Sequence, residues 1–180
     1  STDINVAIIS GLNYLNSTQA SDGHWEGPFP VACTAMAVLA FENFGHLPGN
    51  PLDPYHTTVE KGLDYLFTES YLQPIGVQPA GNPDVSGDGV GIQFGTYTGY
   101  ETPMVLMAIV GSQNQSRIAT TGPPGVVGRN YHDIVQDIVD WIAWAQTDPG
   151  NIYEGGWRYP ANYGSSDMSI TQWAVLGDRK

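Results

Sequence analysis

Apolar residues recur along this chain in two helical patterns, which follow one another three times. In the first pattern the apolar positions are three or four residues apart, as at Ile8, Leu12 and Leu15, which is the spacing of one face of an α-helix. In the second pattern almost every position is apolar, which predicts a helix buried on most of its surface. The alternation therefore predicts three helical hairpins, in residues 3–44, 57–111 and 131–177.

The near-continuous apolar segments share a repeat at residues 34–40, 102–108 and 171–177. Each reads threonine, any residue, large, small, aliphatic, large, small. Internal repeats of this kind indicate a stack of similar units, each burying its apolar face against the next. We therefore expect an all-α fold and a single domain over residues 1–180.

Glycine and proline are concentrated in the predicted loops at 20–30, 73–99 and 147–166. These residue types interrupt helices and favour turns. The strand signal is weak everywhere, although residues 90–97 have the composition of a short extended piece.

Glutamine, glycine and tryptophan recur after the amphipathic segments. Two such sets occur: Gln19, Gly23 and Trp25, then Gln146, Gly155, Gly156 and Trp157. This spacing, over nearly the whole chain, resembles the QW repeat of squalene–hopene cyclases and related terpenoid cyclases. In such a repeat the glutamine can hydrogen-bond a free backbone group at the next helix terminus. The resemblance implies an α/α toroid, and three hairpins are about half of such a ring, so we expect a partial toroid, an arc.

The resemblance also implies two kinds of enzyme chemistry, and the sequence lacks the motif of each. The acid cluster of the cyclases, Asp-x-Asp-Asp, is absent. Asp167 and Glu101 are lone acids at the starts of predicted buried helices, where carboxylates commonly cap the backbone, so they are only weak catalytic candidates. The prenyltransferase zinc site requires an aspartate two residues before its cysteine, and Cys33 has Val31 there.

We therefore expect a non-catalytic repeat module that acts through surface interaction or self-assembly. A fragment of a terpenoid cyclase or prenyltransferase-like enzyme, with its acid or metal in the missing half of the ring, is the alternative. Within the arc, tyrosines in loops at the cavity end are the binding candidates, for a polyene or a carbohydrate. They are Tyr97, Tyr100, Tyr153, Tyr159 and Tyr163.

Oxygen-bearing side chains alternate in the loop at 82–88, with a glycine sixth, as in a calcium-binding loop. They are Asn82, Asp84, Ser86 and Asp88. The twelfth position is Gln93 instead of a bidentate glutamate, and the pattern is more typical of a cluster of turn residues in a long connection. Calcium is the one cofactor considered, and it defines a third hypothesis, a calcium-stabilised carbohydrate-binding or adhesion module.

The charge of the chain excludes one class of partner. Its 180 residues contain 18 acidic and 6 basic side chains, a formal net charge of −12, which leaves too few cations to neutralise a row of nucleic-acid phosphates. No apolar run approaches the roughly 20 residues of a membrane span. The expected partner is another copy of the chain or the remainder of a longer one, because an open arc leaves apolar faces at its first and last hairpins.

Two glycosylation sequons suggest the compartment. They begin at Asn16 and Asn114. Such sites are used only on exported proteins, and the scarcity of lysine also suits an extracellular or cell-surface location.

Overall fold

The computed structural model describes residues 2–177, which form six α-helices and one two-stranded sheet. The helices are α1 (Thr2–Thr18), α2 (Pro30–Asn43), α3 (His56–Thr68), α4 (Thr98–Gly111), α5 (Tyr131–Ala145) and α6 (Met168–Gly177). The strands are β1 (Ser70–Pro74) and β2 (Val90–Phe94). The mainly helical class predicted from the sequence is thus confirmed.

The helices fall into three successive pairs, and the second helices α2, α4 and α6 contact one another in order. Helix α2 packs on α4, and α4 packs on α6. The first helices cover this row, since α1 and α3 contact α2, and α5 contacts α4. Helices α2 and α4 are buried over most of their length, as their near-continuous apolar sequences predict.

Helix α6 departs from that expectation. Its Ile170 and Ala174 are fully buried, but Val175 and Leu176 are more than two-fifths exposed. Helix α4 is covered on one side by α6. Within residues 2–177 no further helix packs against α6 in the same way, so the outer side of α6 stays exposed.

The all-α expectation is wrong in one respect, because the connection between α3 and α4 contains an antiparallel hairpin. Ser70 pairs with Phe94, and Pro74 pairs with Val90. Strand β2 packs against α5, where a Cβ on Gly91 would lie 2.7 Å from the Cβ of Trp141. Strand β2 is short and has buried residues on both faces, so it lacks the alternation by which strands are recognised in a sequence.

The repeat threonines have the same role in all three pairs. Each hydroxyl, at the start of a second helix, accepts a hydrogen bond from the backbone N–H of an aromatic residue that precedes the helix. The bonds are Trp25 to Thr34 at 3.1 Å, Phe94 to Thr102 at 2.9 Å and Trp157 to Thr171 at 3.2 Å. The sequence repeat is therefore a repeat of one specific interaction.

The glutamine of the first motif joins the first pair of helices to the second. Gln19 Nε2 donates to the carbonyl of Gly23 at 2.8 Å and to that of Thr58, in the first turn of α3, at 2.9 Å. The second partner is a carbonyl inside a helix, not the free terminal group expected. Gly62 lets α3 pack closely on α2, because a Cβ there would lie 2.4 Å from Val38 Cγ2.

The second glutamine stays within its own hairpin. Gln146 Nε2 donates to the carbonyl of Gly155 at 2.9 Å. Trp157 Nε1 donates to the carbonyl of Ile142 at 2.8 Å, as Trp25 Nε1 does to Leu15 at 2.9 Å. Between residues 2 and 177, no helix combines the length and apolarity needed to cross a bilayer.

The repeat threonines provide a test of this packing. In Thr34→Val and Thr102→Val, a buried backbone N–H loses its acceptor while the side-chain shape is kept. We expect the free energy of unfolding in urea to fall by about 1–3 kcal/mol for each. Thr57→Val, at an exposed position of α3, is the control and should change stability by less than about 0.5 kcal/mol. Equal stability of all three variants would contradict the role given to these threonines.

Candidate functional site

The start of α4 is fixed by a buried carboxylate. Glu101 is 2% exposed, and its Oε2 accepts the backbone N–H groups of Thr96 and Tyr97, each at 2.8 Å. Gly95 makes room for it, since it has a φ of +70° and a Cβ there would lie 2.4 Å from Oε2. The carboxylate therefore holds the backbone that carries the Tyr97 side chain.

The loop between α5 and α6 is bound to the same helix start. The N–H of Gly99 donates to the carbonyl of Tyr159 at 2.9 Å, and the Thr98 hydroxyl donates to the same oxygen at 3.3 Å. A Cβ on Gly99 would lie 2.0 Å from the Arg158 carbonyl oxygen, so only glycine fits. A donor left free at the helix terminus thus positions Tyr159 beside Tyr97.

These supports gather aromatic side chains around a cavity of about 450 Å³. The rings of Phe29 and Tyr97 meet edge to face with centroids 5.3 Å apart, and Tyr97 meets Tyr159 similarly at 5.2 Å. Tyr100 lines the cavity and makes an edge contact with Trp173 at 6.1 Å. The lining residues are Phe29, Tyr97, Tyr100, Tyr159 and Ser169.

A second cavity of about 380 Å³ adjoins the first, because Tyr97 and Tyr159 line both. The second cavity adds side-chain amides from the hairpin, Gln73 and Gln93, and the indole of Trp144. We call the two cavities together the aromatic groove.

Asp167 caps the start of α6 and supports the groove indirectly. Its Oδ1 accepts the N–H groups of Ser169 at 2.9 Å and Ile170 at 3.3 Å, together with the Ser169 hydroxyl. Its Oδ2 lies 3.4 Å from Arg158 Nη1, and the Arg158 guanidinium carbon lies 5.5 Å from the centre of the Tyr159 ring. The Ser169 hydroxyl, the helix N–H groups and Arg158 together lower the pKa of Asp167 below its ordinary value.

This geometry suits binding better than proton transfer. A general acid needs a pKa near the working pH, whereas that of Asp167 is lowered. Glu101 is buried against backbone donors, so its carboxylate is occupied by the helix start. Both acids thus bind backbone donors at helix starts, and the enzyme alternative stays a hypothesis.

The structure brings together three of the five predicted tyrosines. Tyr153 and Tyr163 lie in the same loop as Tyr159 but line neither cavity of the groove. Phe29 was missed, although it directly precedes α2 as Tyr97 directly precedes α4. Aligning the residues that precede the second helices would have identified it. Other lining residues that were not predicted, among them Gln73, Gln93, Trp144 and Ser169, have no such signal.

The predicted calcium ligands lie in one loop that binds its own backbone. Asp84 accepts the N–H groups of Gly87 at 2.8 Å and Gly89 at 3.0 Å through its two oxygens. The loop also donates two backbone N–H groups, at 3.0 and 2.9 Å, to the buried Asp140. In the described part of the chain, no three His, Cys, Asp or Glu side chains converge as a metal site would require. Calcium binding at Asn82, Asp84, Ser86 and Asp88 stays a prediction.

The two sequon asparagines occupy different settings. Asn16 is exposed on α1, where its amide oxygen accepts the Thr58 hydroxyl. Asn114 is half-buried after α4 and accepts the Ser116 hydroxyl at 3.2 Å. Glycosylation at either position stays a prediction.

The aromatic groove is chosen for its residues, because cavities of similar volume occur elsewhere. One of about 480 Å³ lies between α1 and α2, and one of about 410 Å³ lies beside Asn114. Comparison of the chain with protein-family models, curated proteins and solved structures finds no match. The convergence of Tyr97, Tyr100 and Tyr159 is the feature that distinguishes this site.

Replacing Glu101 tests how the site is held. Glu101→Ala leaves two N–H groups without an acceptor, so the free energy of unfolding should fall by about 2–4 kcal/mol. Glu101→Gln retains one acceptor oxygen and should cost about 1 kcal/mol. Urea unfolding measures both, with Glu26→Ala as the exposed control. If Glu101→Ala were as stable as the wild type, the carboxylate would not be the anchor of this helix start.

Proposed function

We propose that this protein is a non-catalytic binding module that holds its ligand in the aromatic groove. The observation that carries the proposal is the convergence of Tyr97, Tyr100 and Tyr159 with Phe29 around one cavity. Concave sites lined by aromatic rings with a few polar groups are typical ligand sites. The two acids nearby are committed to helix starts, which favours binding over chemistry.

The scaffold that we propose is a toroid-type arc of three α-hairpins, as the resemblance to terpenoid cyclases implies. Two features support it. The second helices contact one another in sequence order, and the threonine and tryptophan interactions repeat between pairs. We also propose that the module is exported and acts outside the cell or on its surface, for which the sequons at Asn16 and Asn114 are the support.

The binding role can be tested without knowing the natural ligand. In protein labelled with ¹³C at tyrosine, a library of small neutral and charged fragments should shift the ring signals of Tyr97, Tyr100 and Tyr159. The signal of Tyr153, as exposed as Tyr97 and Tyr159 but outside the groove, serves as the internal control.

The variant Tyr97→Ala should abolish the shifts at Tyr100 and Tyr159 while the near-ultraviolet dichroism of the tryptophans is kept. A library that shifts no groove tyrosine, or that shifts Tyr153 as strongly, would refute the proposed site.

Self-association is a second candidate function. Exposed apolar residues on α1 and α6, the first and last of the six helices, favour it. Among the described side chains of α1 only Leu12 is buried, while Ile4 and Ile9 are 62% and 46% exposed. Helix α6, at the other end, exposes Val175 and Leu176. Apolar surface concentrated at the ends of a helical stack is a typical site of association between copies.

Sedimentation over a range of concentrations tests this second candidate. We expect the wild type to form dimers or larger species, and Ile4→Glu with Ile9→Glu to dissociate them, because each carboxylate would be desolvated at the interface. Asn5→Glu adds the same charge at an exposed polar position of α1 and should leave the assembly unchanged. A wild type that stays monomeric at every concentration would contradict self-association.

A further inference from the structure

We infer that the aromatic groove binds a neutral oligosaccharide, with one sugar ring in each of its two adjoining cavities. The inference depends on the proposed function, because it names the ligand of that same site. Three features of the groove, all within the described residues, support it: the lining is uncharged, several polar groups in it make no hydrogen bond to the protein, and the groove is divided into two cavities.

The lining of the groove carries no charge. Among the residues that the structure describes, neither cavity is lined by an aspartate, glutamate, lysine, arginine or histidine. The chain as a whole carries 18 acidic side chains, so an uncharged groove stands apart from its surroundings. A charged ligand would lose hydration there without gaining an opposite charge, which selects a neutral one.

The free polar groups of the groove suit hydroxyl groups. In the described part of the chain, the hydroxyls of Tyr97, Tyr100 and Tyr159 and the side-chain amide of Gln93 make no hydrogen bond to another protein group. An amide both donates and accepts, and so does a sugar hydroxyl. A pyranose ring also presents a face of C–H groups, which packs against aromatic rings such as those around this cavity.

Two other classes of ligand fit the groove less well. A quaternary ammonium group would bind over an aromatic face, but the positive charge of the Arg158 guanidinium, 5.5 Å from the centre of the Tyr159 ring, would repel a cation there and not a neutral sugar. A proline-rich peptide offers carbonyl acceptors and few donors, so it would leave the acceptor oxygen of Gln93 without a partner.

The division of the groove sets the minimum length of the ligand. Each cavity, at about 450 and 380 Å³, is within the range of a complete ligand pocket. Tyr97 and Tyr159 stand between the cavities and line both, so consecutive sugar rings would contact these tyrosines from either side. Filling both cavities should therefore strengthen binding over filling one.

Calorimetric titration of the full chain with defined oligosaccharides tests the inference. The panel consists of neutral oligomers of glucose, mannose, xylose, galactose and N-acetylglucosamine, and an oligomer of galacturonic acid as the charged counterpart of the galactose oligomer. At least one neutral oligomer should bind, at least about tenfold more tightly than its monosaccharide. The galacturonic acid oligomer should bind more weakly than the neutral one.

Matched variants locate the binding. Tyr159→Ala and Gln93→Leu should each weaken it by about tenfold or more. Tyr153→Ala is the control, because Tyr153 is in the same loop and is 41% exposed against 39% for Tyr159, yet lies outside the groove. It should bind as the wild type does. Unchanged tryptophan dichroism shows that each variant is folded.

The outcomes separate this inference from the function on which it depends. If no neutral oligomer binds while fragments still shift the groove tyrosines, the oligosaccharide is wrong and the groove remains a binding site. Tighter binding of a trimethylammonium compound or a proline-rich peptide than of any neutral oligomer would likewise overturn the oligosaccharide and keep the groove. If Tyr153→Ala weakens oligosaccharide binding as much as Tyr159→Ala, the groove is not the sugar site.

Discussion

Backbone N–H groups around the start of each second helix need acceptors, and the way this chain provides them determines where the aromatic side chains of the groove lie. Threonine hydroxyls accept the N–H groups of Trp25, Phe94 and Trp157. The carboxylates of Glu101 and Asp167 accept further donors at the starts of α4 and α6. Because a buried donor without an acceptor costs about 1–3 kcal/mol, these bonds fix the segments that enter the helices.

The aromatic groove is a consequence of that constraint. Phe29 and Tyr97 occupy the positions directly before α2 and α4, so neighbouring helices bring their rings together. The Tyr159 carbonyl accepts the N–H of Gly99, which brings in a third ring from a distant loop. Rings held in this way lose little conformational entropy when a ligand binds, and such preorganisation strengthens binding without adding contacts.

The elements that could be predicted from the sequence are those in which apolar residues or motif residues recur at a regular spacing. The helical spacing predicted the helices, and the repeat identified Thr34, Thr102 and Thr171 before their shared role was visible. The weak strand signal at 90–97 contains β2, whose two buried faces remove the alternation that marks a strand, whereas β1 was not predicted. The ring contact between Tyr97 and Tyr159 joins two separate hairpins, and no regular spacing of residues in the sequence predicts such a contact.

The distribution of charge follows from the same use of carboxylates. Glu101 directly follows Tyr100, and Asp167 lies eight residues after Tyr159; from the sequence both were only weak catalytic candidates. In the structure the carboxylate oxygens of Glu101 and Asp167 bind backbone donors, and Asp167 also pairs with Arg158. Both acids therefore stabilise the helix starts beside the groove without lining it, and the lining that the structure describes is uncharged. The net charge of −12 on the whole chain adds a long-range repulsion of acidic ligands. The lining is thus uncharged although two carboxylates support it, because both of these carboxylates bind backbone donors at the helix starts.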